Sequence, residues 1–217
     1  MKNRYLCLLI AACAAAILTS ASSFGQAVAQ ATEEISAANS RNQETALGNL
    51  VVDAVKAATN ADGAFLPASS LTGTNLASGQ VDTESLKAVL TDPTDQIVVL
   101  NLTGAQLKSA LERSAGMYPR PFAGFLHVSG IRFTVTTSAR AGNRVSDIRL
   151  NGQVVQPAQK VRIATVSSLA GGALGYFQIW DKSAVTLGDG PILDAVVAYA
   201  RKAGTLTSRK EGRIVVK

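Results

Sequence analysis

Hydrophobic residues change their spacing along this chain, and that change limits it to a small set of architectures. Leu47, Leu50, Val51, Ala54, Val55 and Ala58 recur at helical spacing, and Asn60 to Gly63 closes the run with turn formers. Ala64-Phe65-Leu66 reads as a short strand running into Pro67. Asp82 or Thr83 can cap a second helix with Leu86, Val89 and Leu90 on one face, and Ile97 to Leu102 reads as a strand. Thr103-Gly104-Ala105-Gln106 is a capping-box pattern, opening a helix that carries Leu107, Ala110 and Leu111. From Phe125 the period becomes two: Ile131, Phe133 and Val135 alternate with Arg132, Thr134 and Thr136. A Gly142-Asn143 turn leads to a strand over Val145–Leu150, Asn151-Gly152 makes a tight hairpin turn, and Val161–Val166 is another strand. Pro191 fits the first turn of a last helix bearing Leu193, Val196, Val197 and Ala200, and Ile214-Val215-Val216 closes the chain as a strand. Helices early and late around an antiparallel block predict an α+β layered domain with a mostly antiparallel sheet flanked by helices, not an alternating βαβ fold.

The first 29 residues read as an export signal. Lys2 and Arg4 form a positive start, an apolar run follows from Leu6 to Leu18, and Ala27-Val28-Ala29 is a small-residue cleavage pattern. The apolar run is shorter than the ~20 residues a spanning helix needs, so no membrane span is expected. Ile10-Ala11-Ala12-Cys13 loosely fits a lipoprotein signal acylated at Cys13, but the apolar run continues past it through Ala14–Leu18. The expectation is therefore a secreted or periplasmic protein cut after Ala29. Residues 30–40, polar and rich in Ala, Ser and Glu, then form a linker, and 41–217 form one domain.

Composition removes several kinds of chemistry. Both cysteines, Cys7 and Cys13, lie inside the signal, so the remainder has neither a disulfide nor a thiol. Without Lys2 and Arg4, nineteen cations face fifteen anions, a charge of +4 that would favour anionic ligands modestly. The basic residues are scattered and do not interleave with aromatics, so nucleic acid is not an expected partner. The single histidine, His127, sits in the strand-like run Phe125-Leu126-His127-Val128 with no GxSxG elbow elsewhere. One histidine with scattered carboxylates cannot assemble two metal ions, and GxxxxGK[ST] is absent. No catalytic residue, metal ligand or cofactor is expected. The loop Ser167 to Tyr176, with Gly171, Gly172 and Gly175, either lets backbone approach a ligand or is simply a tight exit from a strand, and composition favours the turn.

Five collinear stretches resemble the C-terminal domain of the 5'-nucleotidase family. Arg41-Asn42-Gln43-Glu44-Thr45-Ala46-Leu47-Gly48-Asn49-Leu50 resembles that domain's opening R-x-x-E-T-x-L-G-N-L, continuing through Asp53-Ala54. Leu102-Thr103-Gly104-Ala105-Gln106-Leu107-Lys108 is similar to its LTGAQLK stretch, and Phe125 to Phe133 to its FLQVSGLRF strand. Ile148–Gly152 is similar to a strand ending in Asn-Gly, and Ala164-Thr165 with the glycine loop to its AT-x-x-F-L-A-x-G-G-D-G-Y/F segment.

In that family the domain follows a metallophosphatase domain carrying both metals, and holds the nucleoside between two phenylalanines with Asn, Arg and Asp partners. The resemblance implies that most of these partners are replaced here. Asn and Arg of NGGGIR give way to Pro67 and Thr72, the PFGN segment to Asp92-Pro93-Thr94-Asp95, the second phenylalanine to Ser168 and the ribose-binding Asp to Leu174. What survives as a candidate nucleotide-binding set is Arg41, Ser168, Gly171, Gly172 and Gly175, with Arg41 expected beside the glycine loop. The expected role is an exported relative of nucleotide-hydrolysing enzymes, non-catalytic alone, binding another exported protein or a non-nucleotide ligand. The alternatives are the substrate-binding half of a split nucleotidase, partnered by a separate metallophosphatase chain, and a structural envelope protein.

Overall fold

The computed structural model describes residues 26–207 and 209–217. Residues 1–25 of the expected signal, including Cys13, lie outside the described residues. The first half runs β1 (Ala29–Ala31), α1 (Ala46–Ala57), β2 (Gly63–Pro67), β3 (Gly79–Val81), α2 (Thr83–Ala88), β4 (Gln96–Thr103) and α3 (Gly104–Ala115). The second half runs β5 (Leu126–Ser129), β6 (Ile131–Val135), β7 (Val145–Leu150), β8 (Gln153–Val154), β9 (Lys160–Val166), α4 (Ser167–Ala170), β10 (Val185–Pro191), α5 (Ile192–Ala203), β11 (Thr205–Leu206) and β12 (Ile214–Val216). The fold is α+β, with three sheets ordered β11-β1-β3, β10-β4-β9-β2-β5 and β12-β6-β7-β8. Among the described residues, only β1 with β11, β2 with β9 and β12 with β6 pair in parallel.

The caps follow from hydroxyl and carboxylate side chains placed where free backbone donors begin. Thr45 accepts from Gly48 N–H at 3.0 Å, and Asp82 accepts from Ser85 N–H at 2.8 Å. Thr103 and Gln106 form the reciprocal box at the start of α3. The five-stranded sheet is the centre of the core: Ala64, Phe65 and Leu66 of β2 are wholly buried, as are Leu100 of β4 and Ile163 and Ala164 of β9. Helix α1 lies on β2 and β5 so closely that a Cβ on Gly48 would stand 2.2 Å from His127 Nδ1. Only glycine fits there.

Two expectations need correction. Gln30–Ser40 is not a linker: β1 lies between β3 and β11, and Ile35 is buried and pairs with Leu76 through two backbone bonds of 2.8 and 3.0 Å. Its apolar residues are too small and sparse to show a period, yet Ala31, Ile35 and Ala37 are buried and only Ala38 is exposed. Second, Pro191 ends β10 and precedes α5 instead of entering its first turn. Strand β10 itself, in a stretch to which the sequence pattern assigns no element, is a bulged strand beside β4, and a Cβ on Gly188 would meet Ile97 carbonyl oxygen at 2.3 Å.

Candidate functional site

Strand β9 ends at Val166 and the chain turns at once into α4, which places Ser167 and Ser168 at the end of the central sheet. Asp95, on the loop before β4, reaches across to them. Its Oδ1 accepts from Ser167 Oγ at 2.7 Å and from Ser168 N–H at 3.2 Å, and its Oδ2 accepts from Ser168 Oγ at 2.6 Å. Around this hub lies a cleft of about 140 Å³ whose wall includes Ser69, Ser70, Thr91, Asp92, Asp95 and Ser168. The segments Pro67–Thr72, Asp92–Asp95 and Ser167–Ser168, widely separated in sequence, thus meet at one place. None of the residues lining it is aromatic, and both of its charged groups are carboxylates. Such a wall hydrogen-bonds polar groups and repels phosphate; it offers no face for stacking a base.

The glycine loop is held from behind. Arg113 of α3 donates from Nε at 3.0 Å and from Nη2 at 2.7 Å to the Leu174 carbonyl, while its guanidinium lies 4.9 Å from the Phe122 ring centroid. Tyr176 OH donates to the Gly124 carbonyl at 2.7 Å, and burial pushes its hydroxyl pKa well up. Trp180 stacks on Tyr176 and Phe65 and donates to Ala170 carbonyl at 3.0 Å. The glycines answer to this packing. Gly172 has φ 93° and a Cβ there would stand 2.8 Å from Phe177 Cα, while one on Gly175, at φ 83°, would stand 2.5 Å from Arg113 Nη2. Gly171 is ordinary helical backbone closing α4.

Arg41 lies elsewhere. Its exposed side chain lines a separate pocket with Asn39, Gly73 and Pro121. Its carbonyl accepts from Phe122 N–H at 2.8 Å, and it is Arg113, lying over the Phe122 ring, that bonds the glycine loop. Among the described residues no hydrogen bond or ion pair joins Arg41 to Gly171, Gly172 or Gly175. Asp95 and Arg113 were missed by sequence reasoning. Asp95 stood within a segment already noted as substituted, whereas nothing local marks Arg113.

The remaining motif residues do structural work. Glu44 accepts from Asn49 Nδ2 at 2.7 Å and from the backbone N–H groups of Glu211, Arg213 and Ile214 at 2.6, 2.7 and 3.3 Å. Burial pushes its carboxyl up, but these bonds outweigh burial and hold it below the usual carboxylate range. Arg213 forms a two-pronged pair with Asp53 at 2.8 and 2.7 Å and also donates to Val128 carbonyl. Beside this junction His127 is fully buried, with neither ring nitrogen hydrogen-bonded. Burial lowers its pKa from 6.5 to about 4, the Ser40 backbone and Glu44 charge opposing and Arg213 adding to the fall. Among the described residues, no three His, Cys, Asp or Glu side chains gather as a metal centre requires. Nor, among them, is any helix long and apolar enough to cross a membrane.

Fold and site together define a layered α+β domain with a small polar cleft at the end of its central sheet. The chain belongs to the 5'-nucleotidase C-terminal domain family, whose model matches residues 26–181. A 5'-nucleotidase-related protein of Glossina morsitans morsitans is 31% identical over 199 residues, covering 81% of this chain and 35% of that protein. A trifunctional nucleotide phosphoesterase of Bacillus subtilis is 29% identical over 143 residues, 63% of this chain and 10% of its own length. The same fold occurs in a 5'-nucleotidase precursor of Thermus thermophilus, with TM-score 0.82 and 21% identity over 88% of this chain and 39% of that one. It occurs too in the NAD nucleotidase of Haemophilus influenzae, with TM-score 0.76 and 13% identity over 88% and 38% of the two chains. The chain thus spans about a third of the length of its first relative and well under half of these structures.

Proposed function

We propose that this chain is an exported, non-catalytic member of the family that binds a partner protein or a non-nucleotide ligand. The observation carrying this reading is the cleft at Asp95. The segments that in the family hold a nucleoside converge here, but hydroxyl groups and carboxylates line the meeting point. Asp95 is already engaged by Ser167 and Ser168. Losing one base stack, at ~1–3 kcal/mol, and one charge-assisted pair weakens a micromolar nucleotide site by about two to four decades. Export rests on the positive start, apolar run and Ala-x-Ala pattern of residues 1–29.

The test is direct. The purified protein should release no phosphate from AMP above background with Mn²⁺, Zn²⁺ or Mg²⁺, and calorimetry should find adenosine and AMP binding no tighter than about millimolar. Metal-dependent turnover lost on mutating a residue of this chain, or micromolar binding of either compound, overturns the reading. A second reading rests on membership of the family and on the segments that meet at the Asp95 cleft: a substrate-side half working with a separate metallophosphatase chain. Co-purification of such a chain together with AMP hydrolysis by the pair would select it.

A further inference from the structure

Three arginines meet on one face of the four-stranded sheet. Arg132 on β6 stands directly opposite Arg149 on β7 in the antiparallel ladder. Arg213 immediately precedes β12, whose Ile214 pairs with Phe133, and its carbonyl accepts from Phe133 N–H. Neighbouring strands lie about 4.8 Å apart, so the three side chains are rooted close together. All three line a cleft of about 440 Å³, the largest of those described, with Gly130, the Asn151-Gly152 turn and Glu211, whose carboxylate is held by Arg213, on its wall. Gly130 keeps that wall low. At φ 70°, a Cβ there would stand 2.9 Å from Lys56 Cε and 3.1 Å from Asn151 Oδ1, which places a further basic side chain alongside.

Like charges directly opposite on a ladder destabilise it unless something between them compensates. Arg213 is compensated by Asp53 and Glu211, at 2.7 and 2.9 Å. Arg149 is paired with Asp147 at 3.0 Å, both partners being well exposed. Arg132 has no carboxylate: its contact is Nη2 donating to the Glu211 carbonyl at 3.1 Å, and among the described residues it forms no ion pair. Nε and Nη1 of Arg132 and Nη2 of Arg149 remain uncommitted among the described hydrogen bonds. Two guanidinium groups from adjacent strands, each with N–H groups to spare, can together offer donors to the several oxygens of one oxyanion.

We propose that the cleft between Arg132 and Arg149 is a binding site for a phosphate group, free or carried as a monoester. It is separate from the Asp95 cleft and does not depend on the function proposed above. The test uses the intact protein, inorganic phosphate, a small phosphomonoester such as glycerol phosphate, and acetate and chloride at matched ionic strength. Calorimetry and thermal melting should show phosphate binding beyond the effect of chloride and acetate. R132Q and R149Q should each weaken it about tenfold or more, with melting checking that each variant folds. Tighter binding of the monoester than of phosphate identifies a carried group, and the reverse identifies the free anion. Equal effects of phosphate, acetate and chloride overturn the proposal, as does unchanged binding by both variants. Loss of binding in R41Q but not in R132Q also overturns it, by moving the anion to the other pocket.

Discussion

The Asp95 cleft and the Glu44–Arg213 junction are both built on segments that resemble the family's motifs, and they have fared differently. At the junction, Glu44 and Asp53 stand as the motif has them and are consumed by the fold: one carboxylate accepts three backbone donors from residues 211–214, the other clamps Arg213. At the cleft, Ser168 and Asp95, where the resemblance puts an aromatic and an amide residue, are bonded to each other, Ser168 donating from its hydroxyl and its N–H. A motif letter therefore carries two meanings. Where it is a buried partner, replacing it costs the whole domain; where it faces a ligand, it can change while the fold remains.

That contrast can be broken most sharply at Glu44. E44A strips three backbone N–H groups and Asn49 of their acceptor in a buried setting, and should cost about 3–5 kcal/mol of unfolding free energy in urea titration. A loss under about 1 kcal/mol would mean that the junction is no more structural than the cleft.

Acid should act next most strongly, again through the junction. The folded pKa of His127, about 4, lies below the unfolded value of 6.5. The unfolded chain therefore binds a proton first as pH falls. The stability from neutral His127 is complete above pH 6.5 and is lost progressively down to about pH 4, some ~3 kcal/mol in all. Glu44, lowered below 4.5, adds a further loss in more acid solution. H127L should flatten the slope of stability between pH 6.5 and 4; an unchanged slope would remove His127 from the account. The smallest effect belongs to the cleft. D95A frees two hydroxyls and one N–H that water can reach, and should cost about 1 kcal/mol. A loss matching that of E44A would erase the distinction between the two regions.

Local chemistry was legible in the sequence, and distant chemistry was not. The Thr103–Gln106 box is present as read. Asn151 and Gly152, at φ 49° and 83°, turn β7 into β8 with Leu150 opposite Gln153. These depend on residues three or fewer apart. The Asp95–Ser168 bonds span 73 positions, and Arg113 reaches across 61 to the Leu174 carbonyl. The basic residues look scattered along the chain because β6, β7 and the approach to β12 bring 132, 149 and 213 together only through strand register. The glycine loop was recognised, but glycine there relieves contacts with Phe177 and Arg113 that no spacing rule displays.

Strand β1 ties the start of the described chain to its end. Ala29 pairs with Val81, Gln30 with both Gln80 and Thr205, and Val28 N–H donates to the Val81 carbonyl at 2.8 Å. One of its two neighbours is made nearly last, so the segment stays without that neighbour until residues 205–206 have been made. Under the export proposed above, a peptidase acting after Ala29 would leave an ammonium at Gln30, inside the three-strand ladder, and remove the Val28 bond. A cut ahead of Gln26 would leave that ladder whole, so the position of any processing would set how well the domain is closed at its amino-terminal edge.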